Sequence, residues 1–306
     1  MSLRELLDVP APAKLNLFLH VVGRRADGYH LLQSPFVLID WMDRLHFERR
    51  SDGRLQRHDL GPALPADDLC LRAARALQAA SRTGLGADIH IDKQLPWGAG
   101  MGGGSSDAAS TLLALNRLWG LHWPRPRLAE LGLRLGADLP FFIGGDNAFV
   151  EGVGERLTPL KLPSLRLAVV KPPAAIQTAE IFGHPGLKRD TEAVIVMGSF
   201  ERLLDAGHND LQAVAESLCP EVAEAARWLQ VRYGNSRMTG SGSAVFARLE
   251  TYSCEGPRMP APQVPPDGSG AVAPPLATFP AAELPPGWVG RLCSSLVQHP
   301  LRDWAD

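Results

Sequence analysis

The sequence predicts a chain of mixed strands and helices folded as two domains, and three observations carry that expectation. Apolar residues alternate with period two over several short segments, the signature of half-buried strands. An apolar helical stripe follows directly on a glycine cluster at 98–104. The strand pattern then restarts at Leu165, just beyond Pro159 and Pro163. With 306 residues, 45% hydrophobic and 21% charged, the chain can build one large or two medium cores. The boundary is expected near 160–164, which gives domains 1–160 and 161–306.

Residues 12–22 place Ala13, Leu15, Leu17, Leu19 and Val21 on one face, and Lys14, Asn16, Phe18 and His20 on the other. That is a strand whose second face is unusually polar for a buried sheet. A charged turn follows over 24–29, then strands at 36–39 and 44–49 around a turn at 40–43. Asp67 is suited to cap a helix running to about 80. A short strand at 87–91 comes next. Beyond the glycines, 107–118 is a helix with Ala108, Thr111, Leu112, Leu115 and Leu118 as its stripe, and a helix at 127–135 ends at Gly136. In the second half, strands at 165–170 and 244–249 bracket helices near 178–181, 209–218 and 221–229, with a second glycine-rich turn at 238–243.

Composition excludes several classes of function. The net charge is −2, from 31 basic and 33 acidic residues, whereas nucleic-acid binding calls for a basic excess. Arg24-Arg25 and Arg49-Arg50 read as solvated surface. No apolar run approaches the ~18 residues of a membrane span, and residues 1–5 lack the order of a leader peptide. Cys70, Cys219, Cys254 and Cys293 are scattered, with no C-x-x-C pair. The expectation is a soluble cytoplasmic protein with inert thiols and no nucleic-acid or membrane partner.

Five of the 30 glycines fall within 98–104. Gly98-x-Gly100-x-x-Gly103 satisfies the dinucleotide fingerprint by letter, but its context is wrong. Six residues, including Pro96, separate Ile91 from Gly98, where the fingerprint needs glycines directly after a strand. The acidic residue about 20 positions on is replaced by Leu121-His122-Trp123. The Walker A loop fails too, since no Lys-Ser/Thr follows. What survives is general: bare backbone amides before a helix N-terminus make an anion site. Ser105 or Ser106 is placed to cap that helix or to reach phosphate or Mg2+.

Asp138, among apolar neighbours and ahead of Pro140, is a candidate base. Taken alone it is more simply a turn-forming aspartate. Lys14 is the lone cation on its strand, and alone it reads as an edge residue. Asp27, Tyr29 and His30 form a cluster able to grip a polar ring, or a solvated loop.

Taken as an ordered set, these segments resemble the GHMP kinases. The set comprises Pro12-Ala13-Lys14-Leu15-Asn16-Leu17, then residues 23–32 with Asp27-Gly28-Tyr29-His30, the loop at 95–106, residues 136–142, and Arg237-Met238-Thr239-Gly240-Ser241-Gly242-Ser243. Glu151-Gly152-Val153-Gly154-Glu155 and Asn209-Asp210-Leu211 support it. The resemblance implies a two-domain α+β fold with the active site in the cleft between domains. It implies ATP, with Mg2+, bound over Pro96, Trp97, Gly98, Ala99, Gly100, Met101, Gly102, Gly103, Gly104, Ser105 and Ser106. Within the family, Lys-x-Asn followed by Asp-Gly-Tyr-His is similar to the branch that acts on a cytidine-diphosphate alcohol. There the phosphoryl group goes to the C2 hydroxyl of a methylerythritol moiety, on the non-mevalonate route to isoprenoid precursors. Asp138 matches the base and Lys14 its partner. Tyr29 and His30 match the residues around the cytidine ring, and Asn16 lies beside the substrate. No protein metal ligand is implied, and a homodimer is compatible with this reading. The alternatives are another small acceptor, such as homoserine or mevalonate, or an impaired nucleotide-binding relative.

One stretch departs from the family. Ten of the 26 prolines fall within 251–287, and proline costs ~3 kcal/mol inside a helix. The family's last helix does not fit there. An insertion or a local change of reading frame accounts for it.

Overall fold

The computed structural model describes residues 3–194, 204, 207–249 and 279–305. Its organising element is β3 (His30–Arg50), a strand of 21 residues. β1 (Glu5–Asn16) and β2 (His20–Arg24) pair antiparallel with it. So do β5 (Gly86–Asp92) and β6 (Ala148–Gly152), one on each side. β4 (Leu55–Asp59) joins β5 in parallel, and β7 (Arg156–Pro159) closes the far edge against β6. The order is β4-β5-β3-β6-β7.

Two expectations are corrected here. The turn expected at 40–43 does not exist, and β3 runs straight through it. The aspartates that suggest a turn serve other backbone instead. Asp43 accepts from the amides of Gln94 and Leu95, and Asp40 from that of Ser294. Conversely, the single strand expected over 12–22 is broken between Asn16 and His20. There the Leu17 amide still bonds Pro35 of β3, but the Leu19 amide turns away to the His208 carbonyl. Both faces of this stretch are buried, Lys14, Asn16 and His20 included.

Helices α1 (Leu69–Ser81), α2 (Gly103–Leu118), α3 (Arg125–Leu133) and α4 (Leu139–Gly144) cover one face of the sheet. α1 is capped by Asp68 rather than Asp67, through a 3.0 Å bond from the Leu71 amide. α2 begins four residues before the expected start, and α3 two before. Leu112, Leu115, Phe141 and Phe142 from the helices meet Leu38, Phe47 and Ile89 of the sheet. Each such burial is worth ~1.5–3 kcal/mol.

A second antiparallel sheet has the order β11-β8-β10-β9. Its strands are β8 (Arg166–Lys171), β9 (Arg237–Met238), β10 (Val245–Leu249) and β11 (Val289–Ser294). Helices α5 (Thr178–Gly183), α6 (Gln212–Leu218) and α7 (Pro220–Tyr233) pack on it through Ile181, Val214 and Val222. A third apolar cluster sits between the sheets, with Leu15, Val37 and Ile39 against Leu167, Val169 and Phe246. After β11 the chain returns to the first sheet. Ser295 bridges Ile39, Gln298 bridges Asp146, and Arg125 donates to the carbonyls of Ile143, Arg302 and Ala305. The proline-rich stretch up to residue 278, where the family's last helix is not expected to fit, lies outside the described residues.

Candidate active site between the two sheets

The glycine loop leaves β5 through Lys93-Gln94-Leu95 and enters α2. Gly98, Gly100 and Gly102 all have positive φ, at 64°, 71° and 71°, a conformation side chains with Cβ resist. This alternation folds the backbone around a cavity of about 440 Å³, to which Trp97, Lys93, Ser105 and Asp107 also contribute. Gly102 is the N-cap of α2, and no side chain caps the first-turn amides. They are therefore available to an anion. Neither Ser105 nor Ser106 is the cap. Because α2 starts at Gly103, Ser106 turns inward, fully buried, and its hydroxyl donates to the Pro12 carbonyl at 2.7 Å. Of these two serines only Ser105 reaches the cavity.

The loop is braced by the second sheet. The Ser243 and Ala244 amides donate to the carbonyls of Gly98 and Ala99. Gly100 packs so closely that a Cβ there would stand 2.5 Å from the Thr239 carbonyl oxygen. The 239–243 turn is held in its own right by Asn209, whose Nδ2 donates to Met238 and Gly240.

Gly98, Gly100 and Gly102 are shared with a second cavity of about 420 Å³, which Lys14, Asn16 and Asp138 also line. The Lys14 amide bonds the Met101 carbonyl at 2.9 Å, fixing β1 to the loop. Lys14 is 4% exposed, and its ammonium donates to Asn16 Oδ1 and lies 4.6 Å above the Phe36 ring. Burial lowers the Lys14 pKa, and the nearby Asp138 carboxylate opposes that shift. The two make no direct ion pair. Lys14 and Asp138 face the same space and act on each other through the field. Asn16 is fully engaged: its amide donates to Thr239 Oγ1 at 2.8 Å and its Nδ2 to Ser34 Oγ at 2.7 Å. Asp138 stands half-buried at the start of α4 and makes no cap bond.

A third cavity, of about 630 Å³, continues from the second past Leu32, Ala137, Val153, Thr178 and Phe182. Tyr29 stands at its edge, 65% exposed. The His30 ring stacks on Phe182 with centroids 4.9 Å apart, and its Nε2 accepts from Arg189 Nε at 3.0 Å. Desolvation, then Arg189 and Arg24, lower the His30 pKa. Since Arg189 can only donate, the imidazole proton resides on Nδ1. Phe182, Arg189, Thr239 and Asn209 complete this site, and none was selected on sequence grounds for these contacts. Phe182 lies within a short amphipathic segment, where an aromatic residue carries no mark separating core from groove.

A glycine loop with free helix N-terminal amides, opening onto a buried lysine and a carboxylate between two sheets, is an arrangement suited to a small-molecule kinase. The profile described as "GHMP kinases N terminal domain" matches residues 68–148, and "GHMP kinases C terminal" matches 191–253. The chain belongs to the GHMP kinase family. A relative from Methylibium petroleiphilum named 4-diphosphocytidyl-2-C-methyl-D-erythritol kinase is 61% identical over 305 residues, covering 100% of both chains. One of the same name from Variovorax paradoxus is 52% identical, over 99% of this chain and 100% of that one. A solved 4-(cytidine 5'-diphospho)-2C-methyl-D-erythritol kinase is 37% identical, with a TM-score of 0.68 over 80% of this chain and 89% of its own. A mevalonate kinase, 15% identical with a TM-score of 0.56 over 80% of this chain and 91% of its own, shares the fold. Among the described residues no helix is long and apolar enough to cross a membrane.

Proposed function

We propose that this chain transfers the γ-phosphoryl group of ATP to the C2 hydroxyl of 4-diphosphocytidyl-2-C-methyl-D-erythritol. The observation that carries the reading is the run of three cavities, with Lys14 and Asp138 lining the middle one. The first-turn amides of α2 and the glycine loop hold the triphosphate. The groove beside Tyr29 and Phe182 takes the cytosine, with His30 Nδ1–H as a donor to a ring acceptor. The alcohol then lies between them. Its oxygen bonds the γ-phosphorus as the bond to the ADP oxygen breaks, and Asp138 receives the hydroxyl proton. Lys14 supplies positive charge for the transferring group, in a reaction that is mostly positioning and charge neutralisation.

Mg2+ fits as the companion of the nucleotide. It keeps several waters and is bound largely through substrate phosphates. The Ser105 hydroxyl lines the loop cavity and is a protein oxygen suited to the ion. Bound, the ion would offset phosphate charge. Both substrates are charged small molecules, which supports a cytoplasmic setting.

The test is ADP release by purified protein with Mg-ATP and each of three acceptors. Turnover is expected with the cytidyl substrate and not with homoserine or mevalonate. Tight ATP binding without turnover on the cytidyl substrate would overturn the assignment.

A further inference from the structure

The segment that carries the glycine loop away from β5 is pinned by two side chains of β3, about fifty residues earlier in the chain. Trp41 and Asp43, two apart and so on one face of the strand, both reach it. The Trp41 indole donates to the Gln94 carbonyl at 2.9 Å. Asp43 Oδ1 accepts from the amides of Gln94, at 2.6 Å, and Leu95, at 2.7 Å. Its other oxygen receives the Lys93 ammonium, which also donates to Asp107 Oδ2 at 2.7 Å. Asp107 lies near the start of α2, so the network ties β3, the loop entrance and the helix N-terminus together. Lys93 and Asp107 line the cavity beside the loop.

The network is costly to build. Asp43 is completely buried, Asp107 is 3% exposed, and Asp107 Oδ1 has no hydrogen-bond partner. Two carboxylates thus share one ammonium away from water. A buried ionic cluster of this kind is poor evidence for stability, since apolar residues of the same volume often serve as well or better. What charge offers is direction: Lys93 donates to both aspartates at once, linking the carboxylate that holds the loop amides to the one in the first turns of α2.

We propose that Asp43, acting through Lys93 and the Gln94–Leu95 amides, is a positioning residue for the nucleotide. It makes the loop amides and the α2 amides converge on a single phosphate chain. The inference rests on the nucleotide reading of the first cavity. It concerns only that side of the site, because none of Asp43, Lys93, Gln94 and Leu95 lines the acceptor cavity.

The experiment compares the parent with Asp43→Asn, Lys93→Met, the double variant and Lys93→Arg. ATP and ADP affinities are measured by calorimetry, and KM for each substrate and kcat by ADP release. Asparagine keeps an acceptor for the two amides and removes the charge. Each single variant is expected to raise Kd and KM for ATP about tenfold, the size of one lost charge-assisted hydrogen bond. KM for the acceptor should stay within twofold of the parent. The double variant should cost little more than either single one, because the two residues act as a unit, and Lys93→Arg should recover part of the affinity. A lowered melting temperature with unchanged ATP affinity, an equal rise in both KM values, or additive effects would overturn the proposal. If Asp43→Asn fails to fold, the two Lys93 variants decide it alone. If the parent itself binds neither ATP nor ADP, the nucleotide reading falls first, and the calorimetry on the parent separates the two failures.

Discussion

At the scale of single residues the site pairs a buried ammonium with a half-buried carboxylate. Lys14 gives up most of its hydration to lie over Phe36 and donates to Asn16; that burial lowers its pKa, and the field of Asp138 opposes the shift. In the proposed reaction Asp138 accepts the hydroxyl proton, and general-base groups contribute ~10²–10⁴ in rate. Asp138→Asn should therefore reduce kcat about a hundredfold or more while ATP affinity, read by calorimetry, is unchanged. Turnover within tenfold of the parent would remove it from the reaction. Period two sets Lys14 and Asn16 on the polar face of an apolar strand, but alone Lys14 reads as an edge residue, and only the family resemblance points to both as site residues. Ser106 was misread for a local reason. Glycines 103 and 104 seemed to belong to the loop, and with them inside the helix the serine rotates away from the cavity. Arg189 reaches His30 across 159 residues, a distance over which no local pattern speaks.

At the scale of elements, the loop at 98–104 works only against its partner turn at 239–243. Gly100→Ala would push a methyl group to 2.5 Å from the Thr239 carbonyl oxygen and 2.9 Å from the Gly242 nitrogen, at φ 71°. The left-handed conformation alone costs ~1–2 kcal/mol, so both melting temperature and ADP affinity should fall. Gly104→Ala is the control for stability. Its nearest neighbour is Leu69 Cδ1 at 3.7 Å, an ordinary contact, and within a helix alanine should hold or raise the melting temperature. Strongly periodic elements such as β5, α1 and α2 were legible to within a few residues. β4, with the sequence Leu-Gln-Arg-His-Asp, was not expected, because a short edge strand this polar looks like a loop. The false turn in β3 shows the converse: an aspartate promises a turn only when its carboxylate serves its own backbone.

At the scale of the whole molecule, the returning segment after β11 carries a pH-sensitive group. His299 is 1% exposed, its Nδ1 accepts from the Leu301 amide at 3.0 Å, and its Nε2 has no partner. Burial, and then Arg125, lower its pKa from 6.5 to about 3. Between those values the unfolded chain binds a proton that the folded one refuses, so stability falls as pH drops through that window. The site contributes a slope of ~1.4 kcal/mol per pH unit. His20, lowered to about 4 by burial and by His208, steepens the same limb. Urea titrations from pH 7 to pH 4 should show a shallower loss of stability in His299→Asn, which keeps an acceptor for Leu301. An unchanged slope would rule this out. The two-sheet plan was legible from the restart of the pattern at Leu165, but the return of residues 295–305 to the first sheet was not, since no periodicity marks it. That return bears on how the molecule is made. The segment that seals the first sheet leaves the ribosome about 150 residues after Asp146 and about 250 after Ile39, the two residues it bridges. A nascent chain halted at residue 160 would carry every residue of the nucleotide loop and still lack the piece that closes the layer behind it. The half of the molecule synthesised first is the half completed last.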